Sequence, residues 1–185
     1  MPHRSGLDHT AVVRAAAELV DVEPADQFSL AQLAALLGVR TPSLYNHISG
    51  LAGLRRDLAV YCLRELLTRF GRAAIGKSRD EAIMALANAY RAYAREHPGR
   101  YAYTLRAADA DDHELQEVGR EVVEVILAVL AAYKLSGDEA LHAVRGLRSI
   151  VHGFVSLEAA GGFGLPLDLD ESFRRLVRMF IRGLE

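Results

Sequence analysis

The chain has 185 residues, 51% of them hydrophobic, enough to bury a core in one ordinary domain or in a small domain joined to a larger one. Its 22 basic against 24 acidic residues leave a formal charge of -2, which excludes a protein that holds nucleic acid by global charge alone. The single cysteine, Cys62, excludes an internal disulfide framework; "MPHRSGLDHT" lacks the apolar stretch of a secretory signal, and no run reaches membrane-spanning length, so a cytoplasmic protein with no membrane partner is expected.

Helical periodicity begins near the start. Val12, Val13, Ala16, Leu19 and Val20 share one face and predict a helix over 8–22, with Pro24 as its stop. Ser29 reads as the N-cap of the next helix and Gln32 completes a capping box, while Phe28 can pack on Leu33 as a hydrophobic staple. Leu30, Leu33, Ala34 and Leu37 make its buried face, and Gly38 ends it in the left-handed conformation. In "RTPSLYNH", Thr41 is expected to cap and Pro42 to stand at the first position of a short helix over 42–47. "SG" at 49–50 breaks the chain again, and a long helix over 50–74 carries Leu54, Leu58, Tyr61, Leu66 and Phe70 inward. "GKSRD" at 76–80 is the one plausible hinge between two halves. Further helices are expected at 79–96, 98–108, 112–134, 137–160 and 170–184, with "GGFGLPLDLD" at 161–170 as the longest loop. No strand-like alternation competes, and no internal repeat or low-complexity segment is found. The fold class is all-α with about nine helices: a helix-turn-helix domain over 1–50 and a helical bundle over 51–185.

Two short helices joined by a glycine turn form a helix-turn-helix, whose second helix enters a major groove of double-stranded DNA. Leu44 must point into the core, which frees Thr41, Pro42, Ser43, Tyr45, Asn46 and His47 to face outward. Threonine and serine can meet bases or phosphates, asparagine can pair with adenine, and Pro42 can touch a thymine methyl. Tyr45 and His47 have the length to reach phosphates. The helix starts at Ser29, Gln32 and Arg40 offer further phosphate positions, as does Arg55 beyond them. Two considerations stand against this reading. Helix pairs around a glycine also occur where no DNA binds, and residues 1–50 hold only Arg4, Arg14 and Arg40 against five acids. A helical binding module without DNA recognition therefore stays open. An enzyme finds little support: there is no histidine pair at metal-ligand spacing, no phosphate loop and no GxSxG, so no metal and no cofactor is expected.

The stretch "SLAQLAALLGVRTPSLYNHISGLAGLRRDLA" over 29–59 resembles the DNA-binding domain of the TetR family of transcriptional regulators. The family pattern runs roughly "A..lGvs.ptlY.Hf..k..Ll..l", and Ala34, Gly38, Val39, Leu44, Tyr45, His47 and Leu54 fall in register with it. The helix order extends the resemblance over the whole chain. Leu51 stands where the family usually has a lysine, so one phosphate contact passes to Arg55 or Arg56.

The resemblance implies a ligand-responsive repressor, released from a palindromic operator by a small apolar or amphipathic effector, and acting as a two-fold homodimer. Met84, Tyr90, Tyr93, Tyr101, Tyr103, Leu105, His152 and Phe154 are the candidates for lining an effector pocket, with core filling as the alternative for each tyrosine. "LRSIVHGFVSLEAAGGFG" at 147–164 is similar to the subgroup with a WHG-type C-terminal domain, through His152-Gly153 and Leu157-Glu158 but without its tryptophan. Phe173, Leu176, Val177, Phe180 and Ile181 form an apolar stripe that, with Leu157, is expected to make the dimer interface.

Overall fold

The computed structural model describes residues 7–22 and 28–184, so the expected break at Pro24 lies outside the described residues. Among the described residues it is all-α, with α1 His9–Val22, α2 Leu30–Leu37, α3 Thr41–Leu44, α4 Gly50–Ala74, α5 Arg79–Glu96, α6 Pro98–Tyr103, α7 His113–Leu130, α8 Gly137–Ala159 and α9 Leu169–Arg182. A 3₁₀ turn, Ala131–Tyr133, follows α7. None of these helices is long and apolar enough to cross a membrane. The fold class and helix count agree with the sequence reading, but three helices end three or more residues earlier than expected. The third helix begins one residue earlier than expected and is shorter. The sixth ends at Tyr103 instead of 108, and the seventh turns into the 3₁₀ segment after Leu130.

The chain divides into two compact units, Met1–Arg64 with His97–Gln116, and Glu65–Glu96 with Glu117–Glu185. This division differs from the 1–50 and 51–185 split expected from sequence, because the break falls inside α4 and α6 joins the N-terminal helices. In the first unit, Val12, Val13, Ala16, Ala17 and Val20 of α1 bury one face with Phe28, Leu33, Ala34, Leu44, Ile48, Leu54 and Leu58. Asp8 starts α1, its carboxylate accepting the Ala11 N–H at 2.7 Å. α6 docks on the end of α1 through polar contacts. The Asp21 carboxylate accepts the Arg100 backbone N–H at 2.9 Å and lies 2.9 Å from both Arg100 Nε and His97 Nδ1. Gly99 lets the two backbones meet, since a Cβ there would stand 1.7 Å from the Val20 carbonyl oxygen.

In the second unit, α5, α8 and α9 pack on one another. Ile83, Leu86, Tyr90 and Tyr93 of α5 are buried, as are Val144, Leu147, Val151, Phe154 and Val155 of α8. α9 contributes Phe173, Val177 and Ile181, spaced four residues apart so that they line one stripe. Full burial of each is worth roughly 1.5–3 kcal/mol. α9 is capped by Asp168, whose carboxylate accepts the N–H groups of Asp170 and Glu171.

Gly99→Ala is expected to lower stability by about 2–4 kcal/mol in chemical denaturation, because the added carbon meets backbone that cannot rotate away. Gly71→Ala, in the interior of α4 with nothing within 4 Å of the new carbon, should raise stability by about 0.5–1 kcal/mol. Equal effects of the two substitutions would refute the close approach of α1 and α6.

Candidate functional site

The head begins at the Ser29 capping box. Ser29 Oγ accepts the Gln32 N–H at 3.4 Å, and the Gln32 side-chain carbonyl accepts the Ser29 backbone N–H at 3.0 Å and its hydroxyl at 2.8 Å. Both side chains are thus occupied with holding the start of α2, and of Gln32 the side-chain NH₂ remains for another partner. At the other end Gly38 adopts φ 67°, with Val39 N–H bonded to the Ala34 carbonyl at 3.0 Å and Gly38 N–H to that of Ala35 at 3.2 Å. This is the Schellman arrangement, and Val39 packs back on the core beside it.

The cap of α3 corrects the sequence reading. Arg40, extended at φ -85° and ψ 145°, is the N-cap, its carbonyl accepting the Ser43 N–H at 2.9 Å; no side chain caps the helix. Thr41 is therefore the first helical residue and Pro42 the second. A backbone N–H at either position would lack an intrahelical partner, so the missing proton of Pro42 costs nothing there. After Leu44 the chain continues in turns, His47 and Ile48 N–H bonding to the Leu44 carbonyl at 2.9 and 3.0 Å. Leu44 and Ile48 are buried; Arg40, Pro42, Tyr45 and Asn46 are exposed, and Thr41, Ser43 and His47 are half-buried. Tyr45 is 59% exposed, and a Cβ on Gly50 would lie 3.9 Å from its ring. An exposed tyrosine beside a threonine, a serine, an asparagine and a histidine makes a face that can donate to and accept from base edges and phosphates.

The arginines after the head differ in availability. Arg56 is enclosed by carboxylates. Its Nε and Nη2 donate to Asp112 at 3.0 and 2.8 Å, and Nη1 meets Asp57 at 3.2 Å and Glu114 at 2.8 Å. These bonds, that of Asp112 foremost, push the guanidinium further up and hold the Asp112 carboxyl below its ordinary range. Arg64 also pairs with Glu114, at 2.9 Å. Arg55 is exposed and lies by Tyr103, whose hydroxyl is pushed up by burial while Arg55 pulls it back. Of the two expected substitutes for the family lysine, Arg55 is the one facing solvent. Leu51 is packed against the core, so that position contributes burial in place of charge.

The expected pocket residues fall in both compact units. Tyr101, Tyr103 and Leu105 belong to the first unit, and Tyr101 is buried there. In the second unit Tyr90 is buried with its ring 6.1 Å from that of Phe70, and Tyr93 is buried with its hydroxyl 3.3 Å from Glu65. His152 is half-buried, 3.5 Å from Ser156. The Phe154 ring lies tilted against Phe163 at 4.8 Å and edge-on to Phe173 at 5.0 Å. Met84 lines a cavity of about 420 Å³, together with Asn88, Arg91 and the start of α9. Phe173, Val177 and Ile181 of the expected interface are buried within the protomer, Leu176 and Phe180 half-buried, and Leu157 is 52% exposed.

Sequence reasoning missed Arg91, whose side chain is only 8% exposed. It donates from Nε and Nη2 to Glu158 at 2.9 and 2.6 Å and meets Asp170 from Nη1 at 2.8 Å. The Arg91 bond holds the Glu158 carboxyl below its ordinary range, and Glu158 in turn raises the guanidinium. A signal was present: Arg91 stands four residues after Ala87 and eight after Ile83, on the buried face of α5.

A family model described as "Tetracyclin repressor-like, C-terminal domain" matches residues 83–180; the description does not name the WHG subgroup. An uncharacterised HTH-type transcriptional regulator of Mycobacterium tuberculosis is 36% identical over 180 residues, 97% of this chain and 82% of that protein. The uncharacterised HTH-type transcriptional regulator YobS of Bacillus subtilis is 37% identical over 185 residues, 100% of this chain and 96% of that protein. A solved structure of a protein with unknown function from Rhodococcus matches with a TM-score of 0.83 at 23% identity, over 99% of this chain and 98% of that one. TetR of Acinetobacter baumannii, as a variant in complex with minocycline, matches with a TM-score of 0.72 at 21% identity, over 96% of each chain. At these identities the two structures bear on the fold.

The lowered carboxyls of Asp112 and Glu158 set a direction for pH. A carboxyl depressed by folding contributes stability that is complete above its unfolded range and is lost as pH falls through its folded value. The thermal midpoint should therefore drop on acidification from about pH 5 to about pH 3. Asp112→Asn keeps a capping oxygen for the Leu115 N–H but loses the charge, and should flatten that acid limb. An acid limb identical to that of the unmodified chain would overturn the role given to Asp112.

Proposed function

The chain belongs to the TetR family of transcriptional regulators, and on that premise we propose that it is a ligand-responsive repressor that leaves a palindromic operator when a small molecule binds. It is a transcriptional regulator and not an enzyme. The observation that carries the DNA reading is the head: Leu44 and Ile48 inward, with Pro42, Tyr45 and Asn46 outward on a turn held by Gly38. We assign DNA binding to residues 1–50, with Ser29, Gln32, Arg40, Thr41, Ser43, His47 and Arg55 completing the contact set, and effector binding and dimerisation to 51–185. Such a regulator works where the DNA is, in the cytoplasm.

Two copies related by a two-fold axis present two recognition helices to two half-sites about 34–36 Å apart, which a single four-residue helix cannot do. Leu157 and Met179, 52% and 61% exposed, with the half-buried Leu176 and Phe180, supply the apolar surface for that pairing. Release requires that the effector bind the DNA-incompetent conformation more tightly than the competent one. α4 is the natural carrier, since its residues up to Arg64 belong to one compact unit and those from Glu65 to the other. The sparse basic charge of the head favours a second reading, a helical module that has lost DNA.

Selection of genomic fragments by the purified chain decides between them. The unmodified protein should enrich a short imperfect palindrome, and Tyr45→Ala with His47→Ala should reduce its recovery at least tenfold, each lost contact being worth roughly 1–3 kcal/mol. Absence of any enriched sequence at low salt would sink the repressor reading and leave the binding module.

A further inference from the structure

We propose that Arg56 is a phosphate-binding residue held in reserve: carboxylates at the start of α7 mask it, and lifting that turn releases it to DNA. This rests on the reading that the head binds DNA, and it adds a control on how tightly the head does so.

All the groups concerned lie in the first compact unit. Arg56 stands in the second turn of α4, directly after the outward Arg55 and five residues after Leu51, where the family usually has a lysine. Its guanidinium is occupied by three carboxylates. Asp112 takes Nε and Nη2 as a fork, and Nη1 is divided between Asp57 at 3.2 Å and Glu114 at 2.8 Å. Arg64 adds a second cation, on Glu114. With His9, 2.8 Å from Asp57, counted as neutral, three acids face two arginines. A phosphate approaching this patch meets repulsion where a lone arginine would attract it. The guanidinium is nevertheless within reach of solvent: the Arg56 side chain keeps 38% exposure and lines a cleft beside the start of α1.

The number of acids exceeds what a structural tie needs. Asp112 alone supplies a bidentate pair, at 3.0 and 2.8 Å, between α4 and the start of α7. Two further acids on the remaining nitrogen repel each other and add little stability at a surface. Their effect on charge is larger, since they turn the surroundings of this arginine from positive to negative. The mask also has a detachable part. Asp57 neighbours Arg56 on α4 and moves with it. Asp112 and Glu114 both come from the start of α7: the Asp112 carboxylate accepts the Leu115 N–H at 3.1 Å, and Glu114 lies in the first turn. They leave together when that turn lifts. α7 runs out of this unit after Gln116, so its first turn is a place where the second unit can act on α4.

The test is titration of a duplex carrying the selected palindrome with the full chain, across a salt series. Asp112→Asn with Glu114→Gln keeps the cap and the side-chain shapes and removes two charges from the mask. Asp109→Asn with Asp111→Asn removes two exposed charges from the loop just before it and is the control. The mask variant should bind roughly fivefold more tightly than the control, with a log–log salt slope steeper by about one, as one added phosphate contact requires. Adding Arg56→Gln to the mask variant should return it to the control level, which separates Arg56 from Arg64, also released by the loss of Glu114. If the mask variant fails to fold, Glu114→Gln alone is compared with Asp111→Asn alone, and the same difference in slope decides. Equal binding by mask variant and control, or a gain that survives Arg56→Gln, overturns the inference and spares the repressor reading. If the unmodified chain selects no palindrome, the variants are titrated with random-sequence duplex at low salt. A gain confined to the mask variant then supports the mask, and its absence sinks the mask together with the repressor.

Discussion

A helix of four residues has no stability of its own, and the reading head depends on what holds α3 in place. Nucleating a helix fixes several residues for one hydrogen bond, so even the eight-residue α2 is marginal alone. Burial of Leu33, Leu44 and Ile48 against α1 supplies the missing free energy. Ala16 and Ala17 on the facing side of α1 are fully buried, and their small side chains allow the short helices to approach. The capping box and the Gly38 turn act after that: they satisfy backbone groups that a short helix leaves open at both ends. With the inward residues so constrained, the outward ones are free of structural duty, and Tyr45 and Asn46 are exposed for that reason.

The same chain that needs positive charge for DNA spends much of it internally. Arg56 and Arg91 each fork onto a carboxylate, those of Asp112 and Glu158, and Arg100 meets Asp21 through Nε and its backbone N–H. In the first and third cases the pair joins segments that no apolar stripe would align: Arg56 ties the cap of α7 to α4, and Arg100 ties α6 to the end of α1. A bidentate pair fixes orientation as well as distance, which matters more here than its net contribution to stability. The cost falls on the DNA side, where Arg40 and Arg55 remain outward. On the proposed DNA reading, a head so poor in charge gains less from phosphate neutralisation and depends more on base edges, helix N-termini and a second protomer.

Sequence alone made the local structure legible and left the tertiary one closed. The capping box at Ser29, the turn at Gly38, the break at Ser49-Gly50 and the inward Leu44 all follow from rules acting within a few residues. Thr41 was misread as a cap because threonine and Pro42 fit the start of a helix in either register; only the extended backbone at Arg40 decides. The sequence reading does not place Ile48 or Leu51 in the core, because the turns after Leu44 carry them off the helical period, yet both pack there. Arg91 and Glu158 are 67 residues apart, and nothing in the spacing links them. The tyrosines at 90–103 read as one aromatic cluster along the chain, but the compact units part between Glu96 and His97 and send them to different cores.

α9 shows how one apolar stripe can serve two surfaces. Its residues at 173, 177 and 181 advance by four, which is slightly more than one turn, so they lie along one line and fill the protomer's own core. Leu176 and Phe180 lie one residue before the inner positions, turned by about 100° from them, and are half-buried. Met179 lies further round and is 61% exposed. On α8, a Cβ at Gly146 would come within 3.2 Å of the Phe180 ring, so that glycine lets the flank of the stripe settle closely. Met179 and, on α8, Leu141 and Leu157 keep apolar surface exposed. A stripe wide enough to look excessive for one chain is thus divided: the inner part stabilises the bundle, and the outer part stays half-buried or exposed at its flank.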